Sequence, residues 1–88
     1  MSSSAFRLVV ARRFARDLRQ SDHLVQQRVL EALERLAEDP YRGERVVARE
    51  TGTWRLRVGD WRIRYDIVGE EVHVLRVGPP AAGEEVES

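Results

Sequence analysis

The chain has 88 residues and no cysteine, so it suits one small domain and excludes disulfides and cysteine-based zinc sites. Its 15 basic and 15 acidic residues cancel, so any preference for a charged partner must come from local clustering rather than overall charge. No stretch approaches the roughly 18 consecutive apolar residues of a membrane span, and "MSSSAFRLVV" lacks the basic and apolar regions of a leader, so the expectation is a cytoplasmic protein.

In chain order, "AFRLVV" (Ala5 to Val10) alternates Phe6, Leu8 and Val10 with Arg7 and Val9 and reads as a short strand. "ARRFARDLRQ" follows, with Ala11, Phe14, Ala15 and Leu18 at helical spacing. Ser21-Asp22 interrupts it, and either residue can cap a second helix. That helix, "HLVQQRVLEALERLAEDP", sets Val25, Val29, Leu30, Leu33, Leu36 and Ala37 on one stripe and stops at Pro40. In "YRGERVVARETGT", Val46 and Val47 fit either a short strand or the lining of a loop.

"TWRLRVGDWRIRY" (residues 53–65) is two alternating runs about Gly59-Asp60, a two-residue hairpin turn with glycine first. This register pairs Val58 with Trp61, Leu56 with Ile63 and Trp54 with Tyr65 on an apolar face. On the other face it pairs Arg57 with Arg62 and Arg55 with Arg64. "GEE" (Gly69 to Glu71) makes a second turn into "VHVLRVG", apolar on both faces as an interior strand is. "PPAAGEEVES" has no periodicity and reads as a disordered acidic tail. The expected fold class is α+β in the order β-α-α-β-β-β. A mostly antiparallel twisted sheet carries a two-helix hairpin on one face. The domain spans residues 1–78, and residues 79–88 form the tail.

All 15 basic residues are arginine, which grips phosphates and carboxylates with a planar fork of donors. Between Arg42 and Arg64, seven arginines face only Glu44, Glu50 and Asp60, a local excess of four positive charges. Like charges directly opposite across strands repel, so the four hairpin arginines need compensation. Solvated pairing with Asp60, Asp66 and Glu50 is one source, worth about 0–1 kcal/mol per pair. An anionic partner is the other. Trp54 and Trp61 fall on the opposite face, which argues against a base-stacking platform among the arginines.

"TWRLRVGDWRIRYDI" followed by "VHVLRVG" resembles the central hairpin and last strand of the RelE/ParE superfamily of type II toxins. The resemblance covers about residues 5 to 78 and includes the helix pair and Pro40. It implies a compact toxin neutralised by a cognate antitoxin, encoded by an adjacent gene. RelE-like members act with the ribosome as mRNA endonucleases that block translation; ParE-like members act on DNA gyrase. By the motif, Arg55, Arg57 and Arg62 match the basic residues that bind mRNA phosphates and support cleavage, and Arg64 completes the RNA-binding face. The family's basic pair after Val77-Gly78 is replaced by Pro79-Pro80, and no tyrosine follows Tyr65. This departure leaves two alternatives open: a gyrase-directed toxin, and a toxin without catalysis that binds only its antitoxin.

His73 is the candidate acid or base, expected opposite Asp66 on the arginine face. His23, Glu44 and Glu50 are weaker candidates. The sequence has no metal-ligand spacing and no phosphate-binding glycine loop, so neither metal nor cofactor is expected. Glu84, Glu85 and Glu87 have the charge to fold back over the arginine face.

Overall fold

A computed structural model of the chain describes residues 5–46 and 53–79. The expected Val47, Glu50 and acidic-tail features therefore lie outside the described residues. Five strands form one sheet in the order β1-β5-β4-β3-β2. They are β1 (Arg7–Val10), β2 (Glu44–Arg45), β3 (Trp54–Val58), β4 (Trp61–Val68) and β5 (Glu71–Gly78). β1 runs parallel to β5, and the other neighbours are antiparallel. Helices α1 (Arg12–Arg19) and α2 (His23–Glu38) follow β1, and a short 3-10 turn spans Pro40–Arg42. This is the expected α+β architecture with one addition. A short strand, β2, lies just before the Val46-Val47 pair, at Glu44–Arg45, and the Val46 amide donates to the Thr53 carbonyl at 2.9 Å.

The helices form for local reasons. Asp22, not Ser21, caps α2: its carboxylate accepts from the Val25 amide at 3.0 Å. The Ser21 hydroxyl instead donates to the Leu18 carbonyl at 2.7 Å. The Gln26 side-chain amide donates to the carbonyls of Leu18 and Ser21, tying α2 to the end of α1. Pro40 ends the run, and the Asp39 carboxylate accepts from the Tyr41 amide to start the 3-10 turn.

The core lies between the helices and one face of the sheet. Phe14 from α1 meets Val29, Ala32, Leu33 and Leu36 from α2 over Ile63, Tyr65, Val72, Val74 and Val77. Burying each large side chain contributes about 1.5–3 kcal/mol. Leu30 departs from the expected stripe: it is 52% exposed, and Ala32 takes the inward position. Val10 is also exposed, because the chain leaves β1 there and turns into α1.

The hairpin register is the expected one at every position from Trp54–Tyr65 to Val58–Trp61. Gly59 and Gly69, first in the two turns, have φ of 62° and 61°, a region that other residues rarely enter. β5 departs from regular alternation. Tyr65 lies opposite Val74 but Arg64 opposite Arg76, so Leu75 is an extra residue in the ladder. Without this bulge Arg76 would point into the core. With it, Val77 is buried and Arg76 joins the other face.

Candidate nucleic-acid interface

The face away from the helices is organised in rows across the strands. One row runs Glu44, Arg55, Arg64, Arg76 from β2 to β5. The next runs Arg57, Arg62, Gly78. Neighbouring strands lie about 4.8 Å apart, so the guanidinium groups share one compact patch. Among the described residues, this face carries no aromatic ring within the two rows.

The arginines are not equivalent. Arg55 is 4% exposed, and its Nη2 donates to Glu44 Oε1 at 2.7 Å. Arg62 and Arg64 are half-buried and Arg57 is exposed. Arg76 donates from Nε to Asp17 Oδ2 at 2.8 Å, and the same oxygen accepts from the Val77 amide at 3.1 Å. β1 ends opposite Val74, so beyond that point a carboxylate from α1 stands beside β5 where a strand would. Asp17 thereby binds the bulged end of β5 and holds Arg76 on the patch.

The floor beneath this patch is closely packed. The Tyr65 hydroxyl donates to the Pro40 carbonyl at 2.6 Å inside the core. Burial pushes its pKa up to about 12. A β-carbon at Gly43 would come within 2.2 Å of that hydroxyl and 2.6 Å of the Arg55 carbonyl. Glycine at 43 is therefore required by close approach rather than by its backbone angles. Trp54 stacks on Tyr65 at 6.2 Å, Tyr41 meets Trp54 edge-on, and the Arg45 guanidinium lies 5.9 Å from the Trp54 ring. These rings are on the helix side, as the alternation predicts.

His73 lies opposite Asp66, as expected. Its Nε2 is 2.9 Å from Glu71 Oε1, and Glu71 also pairs with Arg7. These two partners hold the Glu71 carboxyl below its ordinary pKa. Asp66 Oδ1 accepts from the Thr53 amide and hydroxyl at 2.7 and 2.9 Å. His73 is thus one row from Arg64, and its partner Asp66 is four residues along β4 from Arg62, about 13 Å. His23 is exposed at the start of α2. Arg76 and Asp17 were missed from the sequence. The signal was the spacing of Val74 and Val77, three apart in a strand that otherwise alternates.

Among the described residues there is no group of His, Cys, Asp or Glu suited to a metal, and no helix is long and apolar enough to cross a membrane. On the helix side, Leu24, Val25, Arg28, Val58, Gly59, Asp60 and Trp61 line a recess of about 280 Å³.

Residues 8–81 match the family described as the ParE toxin of the type II toxin-antitoxin system parDE. Among solved structures, a chain of the RelBE2 toxin-antitoxin complex from Mycobacterium tuberculosis is similar, with TM-score 0.75 and 28% identity. That similarity covers 86% of this chain and 99% of that one. A chain of the archaeal RelE-RelB complex from Pyrococcus horikoshii has TM-score 0.70 and 21% identity over 90% of this chain and 99% of that one. For the intact E. coli RelBE complex the values are 0.68, 21%, 88% and 99%. The last two share the fold. No curated protein matches the sequence significantly.

Proposed function

This chain belongs to the ParE toxin family of type II toxin-antitoxin systems, within the RelE/ParE superfamily, and from that premise we propose that it is a cytoplasmic, ribosome-dependent mRNA endonuclease. A cognate antitoxin from the adjacent gene silences it. The observation that carries this reading is the arginine patch. Arg57 beside Arg62, with Arg64 and Arg76 in the next row, gathers cations on a sheet face whose geometry is held from below.

Such a patch has a defined chemical use. When a ribose 2′-hydroxyl gives up its proton and attacks the adjacent phosphorus, expelling the 5′-oxygen, which takes up a proton, negative charge grows on the phosphoryl oxygens. A preorganised donor aimed there is worth about 3 kcal/mol of barrier. Arg57 and Arg62 are the proposed phosphate ligands at the reacting position, and Arg64 the neighbouring RNA contact. Arg55, buried against Glu44, serves to position the row. His73, bound to Glu71 at the far end of the strand, is given no step.

Induction of the chain in a bacterial host, with and without the neighbouring gene, tests the reading. Expected are growth arrest relieved by that gene and primer-extension stops at codons in the ribosomal A site. Soluble protein with neither arrest nor cuts rejects it. A second reading, a toxin directed at DNA gyrase, is favoured by Pro79, which follows Gly78 where RNA-cleaving relatives carry a basic residue. Arrest with DNA-damage signalling and intact mRNA selects it.

A further inference from the structure

We propose that α1 carries a second binding surface for a nucleic-acid phosphodiester backbone, continuing the hairpin patch around the open edge of β5. The proposal rests on the mRNA reading above and extends it to a part of the molecule that reading does not use.

Four of the eight residues of α1 are arginines: Arg12, Arg13, Arg16 and Arg19. All four are exposed, and among the described residues none of them is in an ion pair. The helix has one acid, Asp17, placed four residues after Arg13, where an intrahelical pair would ordinarily form. It is turned away instead, 14% exposed and bonded to Arg76 and the Val77 amide. The helix surface therefore keeps its four charges while its only carboxylate serves the sheet. Arg12, Arg13 and Arg16 line a recess of about 300 Å³.

Arg16 and Arg19 suit the last turn of the helix, but the start of the helix is arranged against its stability. Cations at a helix N-terminus oppose the macrodipole, yet Arg12 and Arg13 occupy the first turn with no acidic residue beside them. The N-cap is Ala11, which offers no side-chain acceptor. A segment that violates local rules without structural return is where a binding role is expected. Anionic ligand is the missing compensation.

The chemistry of the ridge selects the ligand. A protein partner needs apolar anchors at the centre of its interface. None of the exposed large apolar residues lies on α1: Phe14 is buried and Leu18 packs against the core. What α1 shows outward is guanidinium, which suits repeated phosphates. The Asp17–Arg76 bond joins the two surfaces, and Arg13 lies one helical turn before Asp17 on the same helix.

The test is fluorescence anisotropy with the full chain and three probes: a single-stranded RNA of about 20 nucleotides, its DNA equivalent and a poly-glutamate peptide. The variant R12Q/R13Q/R16Q is expected to bind RNA at least tenfold more weakly at low salt. Its slope of log K against log salt should be shallower by about 2, at about 0.7 per single-strand phosphate released. Its melting temperature should be unchanged or higher, which separates binding from folding. R12K/R13K/R16K should retain the slope. Loss on RNA and DNA alike, or on RNA alone, supports the proposal and assigns phosphate or ribose-bearing backbone respectively. RNA affinity within twofold of the parent, with the slope unchanged, overturns it. In that case a loss in R57Q/R62Q leaves the mRNA reading standing. Loss confined to poly-glutamate overturns the proposal in favour of an acidic protein segment. No binding of RNA by the parent chain overturns the proposal, while the mRNA reading stands or falls with the arrest and cut-site mapping.

Discussion

Arg55 and Arg12 carry the same charge into opposite surroundings. Arg55 is closed into the sheet, bonded to Glu44, with its carbonyl against Gly43 and the Tyr65 hydroxyl behind it. Arg12 stands in solvent on an uncapped first turn whose dipole disfavours it. The difference teaches that an arginine-rich sequence does not define one kind of site. In the hairpin, Arg55 belongs to the architecture and its removal should be felt as lost stability. On α1, Arg12 and Arg13 are carried against the helix dipole, and their removal should be felt as lost binding.

The largest expected effect breaks the hairpin side of this comparison. Gly43→Ala forces a β-carbon into the Tyr65 hydroxyl and the Arg55 carbonyl, neither of which has room to yield. The overpacking should cost about 3 kcal/mol in urea unfolding. An unchanged midpoint would show that the floor under Arg55 is softer than its geometry.

A slightly smaller effect comes from alkali. Tyr65 has its pKa raised from 10.0 to about 12 in the folded chain. A raised folded pKa means that its stability contribution is complete below pH 10 and is lost as pH rises towards 12. The two-unit shift corresponds to about 2–3 kcal/mol. Unfolding free energies at pH 8, 10 and 11.5 should show the decline, and Tyr65→Phe should flatten it.

Asp17→Ala sharpens the comparison, because it touches both regions at once. It removes the acceptor shared by Arg76 and the Val77 amide, at a cost of about 2 kcal/mol. Hydrogen exchange should accelerate at Val77 and not at Ile63, at the centre of the hairpin pairing. Uniform acceleration would mean that the end of β5 is not held by Asp17.

The smallest effect has the opposite sign. Arg12→Glu places an acid in the first turn of α1 and should stabilise the chain by about 0.5 kcal/mol. A thermal scan against the parent is sufficient. Destabilisation would show that Arg12 is already compensated, and would remove the contrast with Arg55.

The hairpin was readable from sequence because its information is local. Alternation from Trp54 to Tyr65 and a glycine able to adopt positive φ leave one register that keeps the hairpin arginines off the helix-facing core. The second helix was readable for the same reason, except at Leu30, where a broad apolar stripe does not say which edge meets the sheet. What escaped depended on distant pairing. The parallel contact of β1 with β5 spans some 60 residues of chain, and no local pattern announces it. Asp17 looks like an ordinary helix-surface acid until β1 is known to stop at Val10. Arg76 counts as inward under strict alternation, and only the extra residue at Leu75 reverses it. His73 was placed correctly opposite Asp66, but its bond to Glu71 could not be read from the strand.

The two indoles follow from the same alternation, and they give the molecule its own optical reporters. Trp54 lies against Tyr65, Tyr41 and the Arg45 cation, whereas Trp61 borders the recess beneath Leu24 and Val25. Both face away from the hairpin arginines. Nucleic acid settling on the patch should leave their emission wavelength nearly constant, while a helix inserted into the recess should shift Trp61 to the blue and spare Trp54. Single-tryptophan variants would separate the two events in one cuvette, without a label on the protein.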